Sequence, residues 1–139
     1  MYQFLDRPVG SLSEPHAFLL SAMRIWVASV RGRQCPCRAL LYGFVRRGVP
    51  DVLQDFAIAM AALDRDGLSR LSFVPDGATV GDGEARALAV FDAALAGVSG
   101  TVRRIAAGLV AEEAVSALAL GAERVALRLS DGVFVERDA

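Results

Sequence analysis

Between His16 and Arg31 the chain has almost no polar surface. Ser21, Arg24 and Arg31, joined by small Ala28 and Ser29, make one narrow stripe. Phe18, Leu19, Leu20, Met23, Ile25, Trp26, Val27 and Val30 cover the rest. Ser13-Glu14-Pro15 supplies a cap and a proline just inside it, so the segment reads as a helix. A helix this apolar all round lies at the centre of a bundle or is shared with a second subunit. The whole chain leans the same way, with 54% hydrophobic residues and a mean hydropathy of +0.41. Size scaling gives a folded chain of this mass roughly 7,000 Å² of exposed surface, with about two-thirds of its unfolded surface buried. One domain over residues 1–139 can therefore build a core without metal or disulfide. Apolar surface left over predicts a homodimer or a protein partner.

Further helices follow from period and punctuation. Pro36 to Arg47 buries Leu40, Leu41, Phe44 and Val45 and stops at Gly48. Pro50-Asp51 opens a third helix that ends at Gly67, with Val52, Leu53, Phe56, Ala57, Met60, Ala61 and Leu63 on one face. Asp82-Gly83-Glu84 opens a fourth, which runs to Gly97. Ser99 or Thr101 starts a helical region reaching Leu120, divisible at Gly108 and Glu112-Glu113, with Gly121 as its end. Leu71-Ser72-Phe73-Val74 alternates and stops at Pro75-Asp76-Gly77, which reads as a strand. Val125, Leu127 and Leu129 alternate with Ala126, Arg128 and Ser130 before Asp131-Gly132, the signal of a hairpin. The predicted class is α+β: about five helices in an antiparallel bundle, with a small antiparallel sheet made of the strand near 71–74 and a C-terminal hairpin over 124–137.

The formal net charge is −1, which argues against nonspecific binding to nucleic acid or to an anionic membrane. All 15 cationic residues are Arg, a bias that a genome rich in G and C explains. It leaves no lysine for Schiff-base or general-base work. Ala17 to Val30 is too short to span a membrane and carries Arg24. The first residues carry no cationic leader and no long apolar run. The expectation is a cytoplasmic protein with reduced cysteines and no cofactor.

Arg31-Gly32-Arg33-Gln34-Cys35-Pro36-Cys37-Arg38 is the one stretch whose residue choice points beyond packing. Proline at the first helical position puts both thiols at a helix N-terminus, where the helix end and nearby guanidinium groups favour thiolate. Cys35 and Cys37 are too close for an unstrained bridge, and together they supply half of a structural zinc site, which a symmetric dimer would complete. They also suit a packed helix start, as small buried residues. Arg31, Arg33 and Arg38, with Arg24, Arg46, Arg47, Tyr42 and Trp26 near in sequence, are the candidates for a phosphate, a carboxylate or an unpaired base. Their plainer role is a solvated rim paired to Asp51, Asp55, Asp64 or Asp66. His16 is the lone histidine. Glu14 is placed to orient it, no nucleophile adjoins it in sequence, and Cys35 is a partner across the helix hairpin. The four Asp-Gly pairs lack calcium-loop spacing and read as turns and caps.

The reading that absorbs most of these features is a non-catalytic interaction or oligomerisation module, pairing through the apolar faces of its first and third helices. The alternatives are a thiol-redox or metal-responsive protein built on Cys35 and Cys37, and a small anionic-ligand binder or enzyme using the arginines and His16.

Overall fold

The structure is a computed structural model that describes residues 3–67 and 77–138, with the backbone alone at 66, 99 and 131–138. It contains six α-helices and no sheet among the described residues. α1 (Glu14–Arg31) and α2 (Pro36–Arg47) form a hairpin, and a 3-10 turn at Pro50–Val52 leads into α3 (Leu53–Asp66). α4 (Asp82–Leu95), α5 (Ser99–Ala107) and α6 (Val115–Asp138) follow, with a second 3-10 turn at Glu112–Ala114 before α6. The predicted helix starts and stops hold for the first four. Pro15 and Pro36 lie in the first turns of α1 and α2, and Gly48 ends α2 with φ of 83°. The stretch beyond Ser99 is two helices, parted after Gly108.

α6 packs against α3, α4 and α5; α4 also touches α1, and α2 lies between α1 and α3. One hydrophobic cluster draws side chains from all six helices. Four phenylalanines run through it as a file from helix to helix. Ring centroids are 5.1 Å apart from Phe18 to Phe44, 5.5 Å from Phe44 to Phe56 and 5.8 Å from Phe56 to Phe91. Tilted pairs at this spacing are the favourable arrangement for aromatic quadrupoles.

The predicted α+β class is overturned. Residues 124–137, expected to form a hairpin, lie within α6. The alternation was misleading, and burial shows why. A strand would put Leu127 inside with Val125 and Leu129, and Ala126 outside. Instead Leu118, Ala119, Ala122, Val125, Ala126 and Leu129 are buried and Leu127 is 66% exposed, which is the helical period. The strand expected at 71–74 lies outside the described residues. The extended pairing that does form joins the N-terminal segment to the approach to α4. Asp6 N–H donates to the Val80 carbonyl and Val80 N–H to the Arg7 carbonyl, each at 2.9 Å.

Gly121, expected to end a helix, instead sits within α6 against α3. A Cβ there would lie 2.7 Å from the Asp55 carbonyl oxygen and 3.2 Å from the Ala59 Cβ. The residue lets two backbones meet, and the helix continues because its ladder is intact and its face is buried. Two glycine variants separate these effects. Gly43 in α2 has nothing within 4 Å of its missing Cβ, so Gly43→Ala stabilises by about 0.5–1 kcal/mol. Gly121→Ala gains the same helix propensity but overpacks the α3–α6 contact, and destabilises by about 1–2 kcal/mol net in denaturant titrations.

Candidate functional site

Cys35 is the N-cap of α2, Pro36 its first residue and Cys37 the next. Both cysteines are unbridged; Cys35 is exposed and Cys37 packs partly against the core. Both thiols therefore stand at a helix start, as the sequence predicts. No group of three His, Cys, Asp or Glu side chains able to hold a metal occurs among the described residues.

Arg31 closes α1, Arg33 takes a left-handed backbone with φ of 55°, and Gln34 N–H returns to the Ser29 carbonyl at 2.8 Å. These contacts build the tight α1–α2 turn. Arg31, Arg33 and Arg38 are exposed around it. The other arginines of that half separate from them. Arg24 reaches across to α4 and binds Glu84 through two nitrogens, at 2.6 and 2.9 Å, and also the Gly77 carbonyl at 2.8 Å. Arg47 binds Glu14 in the same forked manner, at 2.9 and 2.7 Å, and lies over the Phe18 ring. Trp26 is buried. Two of the four aspartates expected to neutralise this half serve α6 instead: Asp51 binds Arg128 at 2.7 Å, and Asp55 faces Arg124 at 3.5 Å. The hydrogen bond from Arg128 holds the Asp51 carboxyl below its ordinary value of 3.8.

Among the described residues Glu84 is the only charged one that is buried, at 0% exposure. Its carboxylate accepts from Arg24 and from the Gly81 N–H at 3.0 Å, so the start of α4 is capped by the same group that holds α1. Sequence reasoning missed it. The acidic residue at the third position of a helix was legible as a cap, but its partner is 60 residues away.

His16 is not free either. Its Nδ1 contacts the Ser13 hydroxyl, and its Nε2 lies 2.8 Å from Asp92 Oδ1. Because an ionised carboxylate only accepts, Nε2 carries the proton toward Asp92. Gln3 donates to the other oxygen of Asp92 at 2.8 Å, and the Phe4 ring lies tilted by 42° at 5.1 Å from the imidazole. The cluster ties the N-terminal segment, α1 and α4 together. Glu14 does not orient His16, since it is engaged by Arg47. A Cys35–His16 pair is ruled out by length: the two residues flank opposite ends of α1, about 20 Å apart at the helical rise.

The apolar faces expected to bind a partner are spent mostly inside. Leu19, Leu20, Met23 and Trp26 of α1, and Phe56, Met60 and Leu63 of α3, belong to the core. Ile25 and Val30 of α1 and Ile58 of α3 stay outside at 39%, 37% and 45% exposure, and further large apolar side chains gather in two other places. Leu41, Tyr42 and Val45 lie on the outer face of α2, at 48%, 70% and 54% exposure. Val98, Leu120 and Leu127 lie where the start of α5 meets α6, at 51%, 51% and 66%. Beside the latter runs an open groove of about 420 Å³. The α1–α2 groove, about 380 Å³, is lined by Phe18, Ile25, Tyr42 and Arg46 among others. No helix among the described residues is long and apolar enough to cross a membrane.

Breaking the Arg24–Glu84 pair from one side strands a buried charge. Arg24→Met is expected to cost about 3–5 kcal/mol, and Arg24→Met with Glu84→Met to recover more than half of that in denaturant titrations.

Compared with protein-family models, curated proteins and solved structures, this chain matches none.

Proposed function

We propose that this chain is a non-catalytic helical interaction module that associates with itself. The observation that carries the reading is the apolar surface that remains once the core is closed. Leu41, Tyr42 and Val45 of α2 form one patch, and Val98 at the start of α5 with Leu120 and Leu127 of α6 another. Scattered single apolar residues are normal on a surface, whereas gathered ones mark a contact. Half-buried Arg24 and buried Glu84 are consistent with this: both are occupied in holding helices together, which leaves them no chemistry to perform. Sedimentation equilibrium at micromolar concentration is expected to show a dimer. A monomer across that range removes the reading.

A second reading rests on Ser13, His16 and Asp92. A hydroxyl, an imidazole and a carboxylate in series are the order that activates a serine nucleophile. In that reading the Ser13 oxygen attacks an ester carbonyl and its proton passes to His16 Nδ1; the alcohol leaves with that proton, and water then releases the acid. A fluorophosphonate reagent would then add one phosphonyl group at Ser13, and His16→Gln would abolish the adduct. An unlabelled protein retires the enzyme reading and leaves the cluster as a tether.

A further inference from the structure

We infer that the second copy docks along α6, antiparallel, about a two-fold axis that passes between residues 123 and 124. The inference rests on the self-association reading above and gives it a surface and a register.

The outward stripe of α6 carries Ala117, Leu120, Glu123, Arg124, Leu127 and Ser130, all exposed except half-buried Glu123. Its centre runs Leu120-Gly121-Ala122-Glu123-Arg124-Val125-Ala126-Leu127. The pattern has the same chemistry read from either end: a leucine, an ionic pair at the middle, a leucine.

A two-fold contact must be self-complementary: if residue i meets residue j, then j meets i. With the axis between 123 and 124, Leu120 meets Leu127 of the second copy, and Leu127 meets its Leu120. Glu123 and Arg124 face each other in the same way, twice. Ala117 comes opposite Ser130, so small side chains lie at both ends and let the helices close. A parallel pair would instead set Arg124 on Arg124 and Glu123 on Glu123, and like charges across a contact cost several kcal/mol. Charge therefore selects the antiparallel register.

The surroundings fit a helix laid along this line. The open groove beside it is lined by Leu95, Val98 and Val102 as well as by Leu120 and Leu127, which gives the incoming leucines an apolar wall. Arg124 is already directed by Asp55 at 3.5 Å with its side chain 60% exposed, so it is oriented in its own chain and still open to a second carboxylate. The α2 patch lacks this property. Exposed Arg38 and Arg46 flank Leu41, Tyr42 and Val45 on that helix, so two copies meeting there would set arginines against arginines.

Charge exchange tests the register. By sedimentation equilibrium, Glu123→Arg and Arg124→Glu are each expected to weaken dimerisation by at least about tenfold, because each places like charges on the axis. The double variant Glu123→Arg/Arg124→Glu is expected to return close to the parent affinity, and an equimolar mixture of the two single variants to form a heterodimer. Leu127→Ser, at a position outside the core, is expected to dissociate the dimer with helicity by circular dichroism unchanged. A parent dimer indifferent to Leu127→Ser and to both charge variants overturns the α6 interface while self-association stands. Dissociation by the single variants without rescue in the double or the mixture overturns the antiparallel register. A monomeric parent removes both proposals.

Discussion

The approach of α6 to α3 at Gly121 is the constraint on which the arrangement of the other helices depends. With an ideal Cβ position only 2.7 Å from the Asp55 carbonyl, no other residue fits without shifting a backbone. Two helices that meet this closely fix each other's rotation. α6 is thereby turned so that Leu118, Ala122, Val125 and Leu129 face inward against α3, α4 and α5. The side that carries Leu120, Arg124 and Leu127 is turned out. The same rotation brings Arg124 to Asp55 and Arg128 to Asp51, so the polar contacts between α6 and the start of α3 follow from the apolar seating.

Around that seating the polar ties differ in weight. The pair of Arg24 and Glu84 lies at 12% and 0% side-chain exposure, with every Glu84 oxygen satisfied. Such a pair adds little net stability over a well-packed apolar pair, but it penalises every arrangement in which one partner is missing. It thus acts on the uniqueness of the α1–α4 contact. The bond between Asp51 and Arg128 is exposed and screened by salt, and contributes less. The cluster of His16, Ser13, Asp92 and Gln3 holds a short N-terminal segment onto α1 and α4, where Phe4 would otherwise be the main anchor.

An apolar composition led to the expectation of a shared surface, and the fold changes where that surface lies. α1 and α3 place most of their apolar residues in the phenylalanine file and around it, and leave Ile25, Val30 and Ile58 outside. Most of the surplus appears on α2 and on the α5–α6 side, where the proposed contact uses Leu120 and Leu127. Glu123 and Arg124 between those leucines select one partner orientation over another, because an ionic pair on a two-fold axis is compatible with one direction only.

Local signals set the helix boundaries of the first two-thirds of the chain. Pro15, Pro36, Pro50 and Gly48 act within one turn of themselves, through a fixed φ, a missing N–H or a left-handed backbone, so they were legible before any contact was known. The start of α2 at Cys35 was legible for the same reason, though the exposure of Cys35, in place of a packed thiol, was not. The C-terminal third was not. Over Val125 to Ser130 an alternating pattern and a helical one share several apolar positions, and only the burial of Ala126 with the exposure of Leu127 separates them. The partners of Arg24 and His16 were hidden too, since Glu84 and Asp92 lie 60 and 76 residues away and an ion pair leaves no periodic trace in the chain. The amino-acid order alone determined where helices begin and stop and how much apolar surface must be hidden. Tertiary structure decided which face of each helix hides it, because that choice depends on how closely two backbones can approach.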